Sequence, residues 1–164
     1  MTEIERLVEL CPCSVEFDSP DREPNGACYW DSVQYFWGTR GPLVEIGSSE
    51  NEAETLYSLA HETGHALCDA KKCSCGMGSY NHSDRTMSEY HAMKFAAKWL
   101  FDHKCKGGLR VAIRSIERQA MFNTVFDSPR LSAHCKAARR LVKLKLWAKC
   151  VAYAKENQCQ DTNS

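Results

Sequence analysis

The sequence predicts an α+β fold: a small, about three-stranded sheet packed on a helix that carries two histidines, with further helices toward the C-terminus. Three observations carry that prediction. Aromatic and β-branched residues cluster over residues 27–47 between turn-forming stretches, whereas helical periodicity begins near Ser49 and governs most of the remainder. The totals, 43% hydrophobic and 26% charged, are those of a globular chain. At 164 residues the length suits one domain, 1–164, with a core over about 27–104 and a helical extension over about 109–156.

Taken in order, Ile4, Leu7, Val8 and Leu10 share one face of a short N-terminal helix over residues 2–10, which Pro12 stops. DSPDREPNG, residues 18–26, is turn chemistry throughout. ACYWDSVQYFWG then reads as strand, with Asp31-Ser32 as a hairpin turn, and Leu43-Val44-Glu45-Ile46 as another short strand. That last strand is a candidate sheet edge for an extended substrate; an ordinary core strand reads the same way. Ser49 with Glu52 fits a capping box that opens a helix to about Ala70. Residues 71–85 have no periodicity. A third helix runs from near Thr86 until Gly107-Gly108 ends it, a fourth covers about 109–126, and a long basic helix covers about 131–156.

The histidine-bearing helix holds HETGH, His61 to His65, an HExxH pattern. Positions four apart lie one turn apart on one face, so both imidazoles can aim at one ion, with Glu62 beside them as general base toward a bound water. A metzincin site would need a glycine and then a third histidine where Cys68 and Lys71 stand. Asp69, eight residues past His61, is about 12 Å farther along the axis at ~1.5 Å per residue, so it suits a supporting contact to a ligand histidine. Glu89 is the leading third ligand, with His82 and His91 as rivals; Thr86-x-x-Glu89 also fits a capping box. Tyr57, Tyr80, His82, Tyr90 and His91 are candidate donors to an oxyanion.

LVEIG, the helix containing YSLAHETGHALC, and SEYHAMKFAAKWL together resemble the ImmA/IrrE-type zinc metallopeptidases, compact gluzincin-like enzymes. Glu89, Ala92, Phe95 and Ala96 stand in the family's E-x-x-A-x-x-F-A-like setting, and the resemblance spans about residues 27–104. It implies a minimal zincin-like fold in which His61, His65 and Glu89 bind one catalytic Zn2+. It also implies cleavage of an intracellular regulatory protein such as a DNA-binding repressor.

The competing expectation is a zincin-fold binding module with little or no peptidase activity. It would dock a protein or DNA partner through the basic C-terminal helix, where Arg139, Arg140, Lys143, Lys145 and Lys149 alternate with apolar residues. The overall charge, 21 basic against 21 acidic residues, favours neither. No apolar run approaches the ~20 residues of a membrane span, and the acidic N-terminus lacks a secretory pattern. The expected location is the cytoplasm, or a host cytoplasm for a viral product. The ten cysteines are then read as reduced, with Cys11, Cys13, Cys73 and Cys75 as a possible second zinc site.

Overall fold

The computed structural model describes residues 1–17, 27–29, 43–46, 51–70, 85–122 and 129–156. The first helix, α1 (Glu3–Leu10), starts with a capping box: Thr2 accepts from the Glu5 N–H, and the Glu5 carboxylate accepts from the Thr2 N–H. Three short strands follow, β1 (Ser14–Phe17), β2 (Ala27–Tyr29) and β3 (Leu43–Ile46). They form a sheet in the order β1-β3-β2, with β1 parallel and β2 antiparallel to β3. Leu43, Val44 and Ile46 are buried, as an apolar run in a central strand requires.

Two expectations change here. A strand at residues 14–17 supplies one edge of the sheet, outside the 27–47 region from which the sheet was expected. The Asp31-Ser32 hairpin lies outside the described residues. β3 has a partner on both sides, so its backbone is already paired and it offers no edge for a substrate strand.

The long helices are α2 (Glu52–Asp69) and α3 (Arg85–Asp102). Asn51, not Ser49, caps α2: its side chain accepts from the Ala53 N–H at 3.0 Å, and Glu52 and Glu54 complement the helix dipole. Leu56, Leu59, Ala60, Thr63, Ala66 and Leu67 form its buried face. α3 buries Tyr90, Ala92, Met93, Ala96, Ala97, Trp99 and Leu100, most of its circumference, which makes it the central helix.

α3 ends at Asp102, before the glycines expected to stop it. Cys105 N–H bonds Leu100 O at 2.9 Å and Lys104 N–H bonds Phe101 O at 3.1 Å, with Lys104 left-handed at φ 59°. That is the Schellman arrangement, built on lysine where glycine is usual. Gly107 and Gly108 instead sit inside α4 (Lys106–Met121). A Cβ at Gly108 would lie 2.9 Å from Leu100 Cδ2, so the glycine is there for close packing.

The basic C-terminal segment is two helices, α5 (Pro129–Leu141) and α6 (Lys145–Lys155). The turn between them is held by Val142 N–H to Ala138 O and Leu144 N–H to Leu141 O, both 3.0 Å. The break lets Leu141 and Trp147 both reach the core. One buried cluster draws on α1, β3 and all five later helices, so α4 to α6 share the core with α2 and α3. Each fully buried Leu, Ile or Met in it contributes about 1.5–3 kcal/mol. No described helix is long and apolar enough to cross a membrane.

Gly64, the glycine of HETGH, sets how closely α2 meets α3. A Cβ there would lie 2.8 Å from Ala92 Cα and 3.1 Å from Ala92 O. In an open helix Gly→Ala stabilises by about 0.5–1 kcal/mol. Here Gly64→Ala is expected to destabilise the fold by about 1–3 kcal/mol, because backbone cannot step aside. Chemical denaturation of the two proteins reads the sign directly.

Candidate metal centre

Three helices meet at one group of polar side chains. α2 supplies His61 and His65, α3 supplies Glu89, and α5 supplies His134. Gly64 allows α2 and α3 to close on each other, while Ala133, Ala137 and Ala138 let α5 lie against α3. The side chains are 13%, 11%, 12% and 19% exposed, so all four are largely removed from water yet reachable by an ion.

Glu89 Oε2 is the hub. It lies 3.0 Å from His134 Nε2, 3.3 Å from His61 Nε2 and 3.5 Å from His65 Nε2, and the two α2 histidines are 3.2 Å apart at Nε2. Despite these distances, Oε2 is buried with no hydrogen bond of good geometry among the described residues. Burial pushes the Glu89 carboxyl up, but the imidazoles of His61 and His65 outweigh it and hold it well below the ordinary carboxylate range. It is therefore a carboxylate at neutral pH, with the ring nitrogens of three histidines facing one of its oxygens.

A cation resolves that arrangement. Donors around a tetrahedral zinc at about 2.0–2.1 Å stand about 3.3–3.4 Å apart. The observed separations of 3.0–3.5 Å bracket that value. His61, Glu89 and His134 have ligand atoms that all lie within 4.8 Å of one another. This His/Glu/His triad can chelate a divalent ion, and His65 adjoins it.

The surroundings orient the donors. His65 Nδ1 bonds Ser88 Oγ at 3.0 Å, which presents Nε2 to the cluster. His61 Nδ1 is buried with no partner among the described residues. The Tyr57 ring is 6.2 Å from that of His61. Burial pushes the Tyr57 hydroxyl up to about 12, and the charges of Glu89 and Glu62 add to it, against a hydrogen bond with Ser115. Because metal-bound histidines lose about 10–100-fold in affinity when an orienting partner is removed, Ser88→Ala is expected to weaken metal binding by about 10-fold. A competition titration against a chelator measures it.

The remaining expected site residues are elsewhere or undescribed. Glu62 is buried at 7% exposure on α2. Tyr90 packs against Arg140, whose guanidinium carbon is 4.6 Å from the ring centre, and meets His91 edge-on at 5.3 Å. Burial, then Lys94 and Arg140, lower His91 below its ordinary value, so it stays neutral to lower pH. Tyr80, His82, Cys73, Cys75 and the side chain of Asp69 lie outside the described residues. Cys11 and Cys13 are adjacent, with sulfurs 3.4 Å apart, and neither belongs to the His61, Glu89 and His134 group.

The site corrects the peptidase expectation. The group that can hold an ion is His61, Glu89 and His134, spread over three helices with His65 beside it, so the two HETGH histidines and Glu89 are not a complete three-ligand site by themselves. Hydrolysis by an HExxH zinc site needs three protein ligands and an open corner for water. His134 brings a fourth side chain to that place, 3.0 Å from Glu89. The resemblance to ImmA/IrrE-type or gluzincin enzymes, which stops near residue 104, has no counterpart to it. No protein-family model, no curated protein and no solved structure matches the chain. The zinc-metallopeptidase reading is therefore overturned, and the base role of Glu62 goes with it. The alternative, docking through one long basic helix, also changes, because that helix is broken at residues 142–144. Arg139 is bonded to Phe122 O, and Arg140 to Met87 Sδ at 2.7 Å and to the Tyr90 ring.

Sequence reasoning missed His134 and Ser88. His134 stands 45 residues beyond Glu89, past the region any HExxH pattern covers. One signal was present: a histidine amid Ala133, Cys135, Ala137 and Ala138, on the face of a helix otherwise made of small residues.

Proposed function

We propose that the protein binds one zinc ion through His61, Glu89 and His134, with His65 as fourth donor, and that the ion joins α2, α3 and α5. The observation that carries this reading is the convergence of donors from three helices on one buried carboxylate oxygen. Imidazole nitrogens suit zinc and other late divalent metals, whereas calcium and magnesium require oxygen donors. Four protein donors complete a tetrahedron, the arrangement of sites whose metal serves structure. Binding to folded protein alone would then add stability directly. Equilibrium dialysis followed by metal analysis tests the reading. One zinc per chain, with no retained calcium or magnesium, is expected; a chain that retains no zinc overturns it.

A further inference from the structure

Cys11 and Cys13 lie on the short connection from α1 to β1, on either side of Pro12. Their sulfurs are 3.4 Å apart in a thiol–thiol hydrogen bond. Proline fixes one backbone dihedral between them, so the pair is held close with little freedom to separate. Cys11 is 9% exposed and Cys13 is more accessible.

Two further features distinguish this pair. The hydrogen bond from Cys13 lowers the Cys11 thiol to about 7 against the opposing effect of burial, and Thr63 adds to the lowering. By contrast, burial pushes both Cys105 and Cys150 up to about 11, leaving them inert thiols. The Thr63 hydroxyl is fully buried on α2 and has no partner of good hydrogen-bond geometry among the described residues, with Cys11 as its neighbour. A thiolate at Cys11 would give that orphaned O–H its acceptor.

We propose that Cys11 and Cys13 are a reversible thiol–disulfide site that exchanges with low-molecular-weight disulfides. Ionisation of the pair leaves one proton, which either sulfur can hold across the 3.4 Å contact. With that proton on Cys11, the accessible Cys13 thiolate attacks a disulfide RSSR, forming a Cys13–S–S–R bond and releasing RS⁻. Cys11 gives up its proton to RS⁻, making RSH. The Cys11 thiolate then attacks the Cys13 sulfur, forms the Cys11–Cys13 bond and expels the second RS⁻. One RSSR is reduced to two thiol equivalents, and two cysteines are oxidised. Ring closure over a single intervening residue is strained, so the bond returns readily to the dithiol.

The test incubates the full chain with oxidised glutathione, blocks remaining thiols, and maps disulfides by mass spectrometry. A Cys11–Cys13 link, with no stable glutathione on either residue and full reversal by excess reduced glutathione, is expected. Cys11→Ser, checked for folding by circular dichroism, should accumulate glutathione on Cys13 because the resolving thiolate is missing. Stable glutathione on Cys13 of the wild type overturns the proposal. So does a link from Cys11 to another cysteine, or no reaction at either residue. Should Cys11→Ser fail to fold, the wild-type map decides alone.

Discussion

Replacing His134 with alanine lowers zinc affinity by more than about 100-fold. Loss of a partner that only orients a ligand already costs about 10–100-fold, and a donor nitrogen costs more. His134 Nε2 is 3.0 Å from Glu89 Oε2, the shortest of the three histidine approaches to that oxygen. Its removal leaves the carboxylate with only the two α2 histidines of the cluster, and α5 loses one of its polar ties to α3. A chelator-competition titration of the wild type and His134→Ala measures the difference. Affinity within about twofold of the wild type would restrict the ligands to His61, His65 and Glu89.

The second large effect is on stability. The four donors come from three separate helices, so they assemble only in the folded chain and the ion binds the native state alone. At free zinc about 1,000-fold above the dissociation constant, linkage adds about 4.1 kcal/mol. For a chain of this length each kcal/mol moves the melting temperature by about 2–4 °C, so zinc should raise it by about 8–16 °C. Excess chelator should reverse the shift, and His134→Ala should abolish most of it. Differential scanning calorimetry with and without zinc reads both. An unchanged melting temperature at saturating zinc contradicts an ion that joins α2, α3 and α5.

The α+β class and the small sheet were legible in the sequence because they rest on local chemistry. Glu52 marks the start of α2 in the sequence, although its cap is Asn51 and not the expected Ser49, and the apolar run Leu43-Val44-Ile46 reads as strand. Nearness of Glu89 to the α2 histidines follows from Gly64, which lets one helix press on the next. What escaped depended on tertiary contacts. Gly107-Gly108 reads as a helix stop from propensity, yet Leu100 needs that space, and Lys104 accepts the left-handed position instead. The turn after Leu141 has neither glycine nor proline; burial of both Leu141 and Trp147 accompanies it. His134 has no fixed spacing to HETGH, because the packing of α5 on α3 places it and no periodicity along one helix does.

X-ray absorption at the zinc edge of the loaded protein tests the metal centre most directly. The account predicts a single shell of nitrogen and oxygen donors at about 2.0–2.1 Å, with the outer-shell pattern of several imidazoles. A sulfur shell at about 2.3 Å would place the ion on cysteines and contradict a centre built from His61, His65, Glu89 and His134.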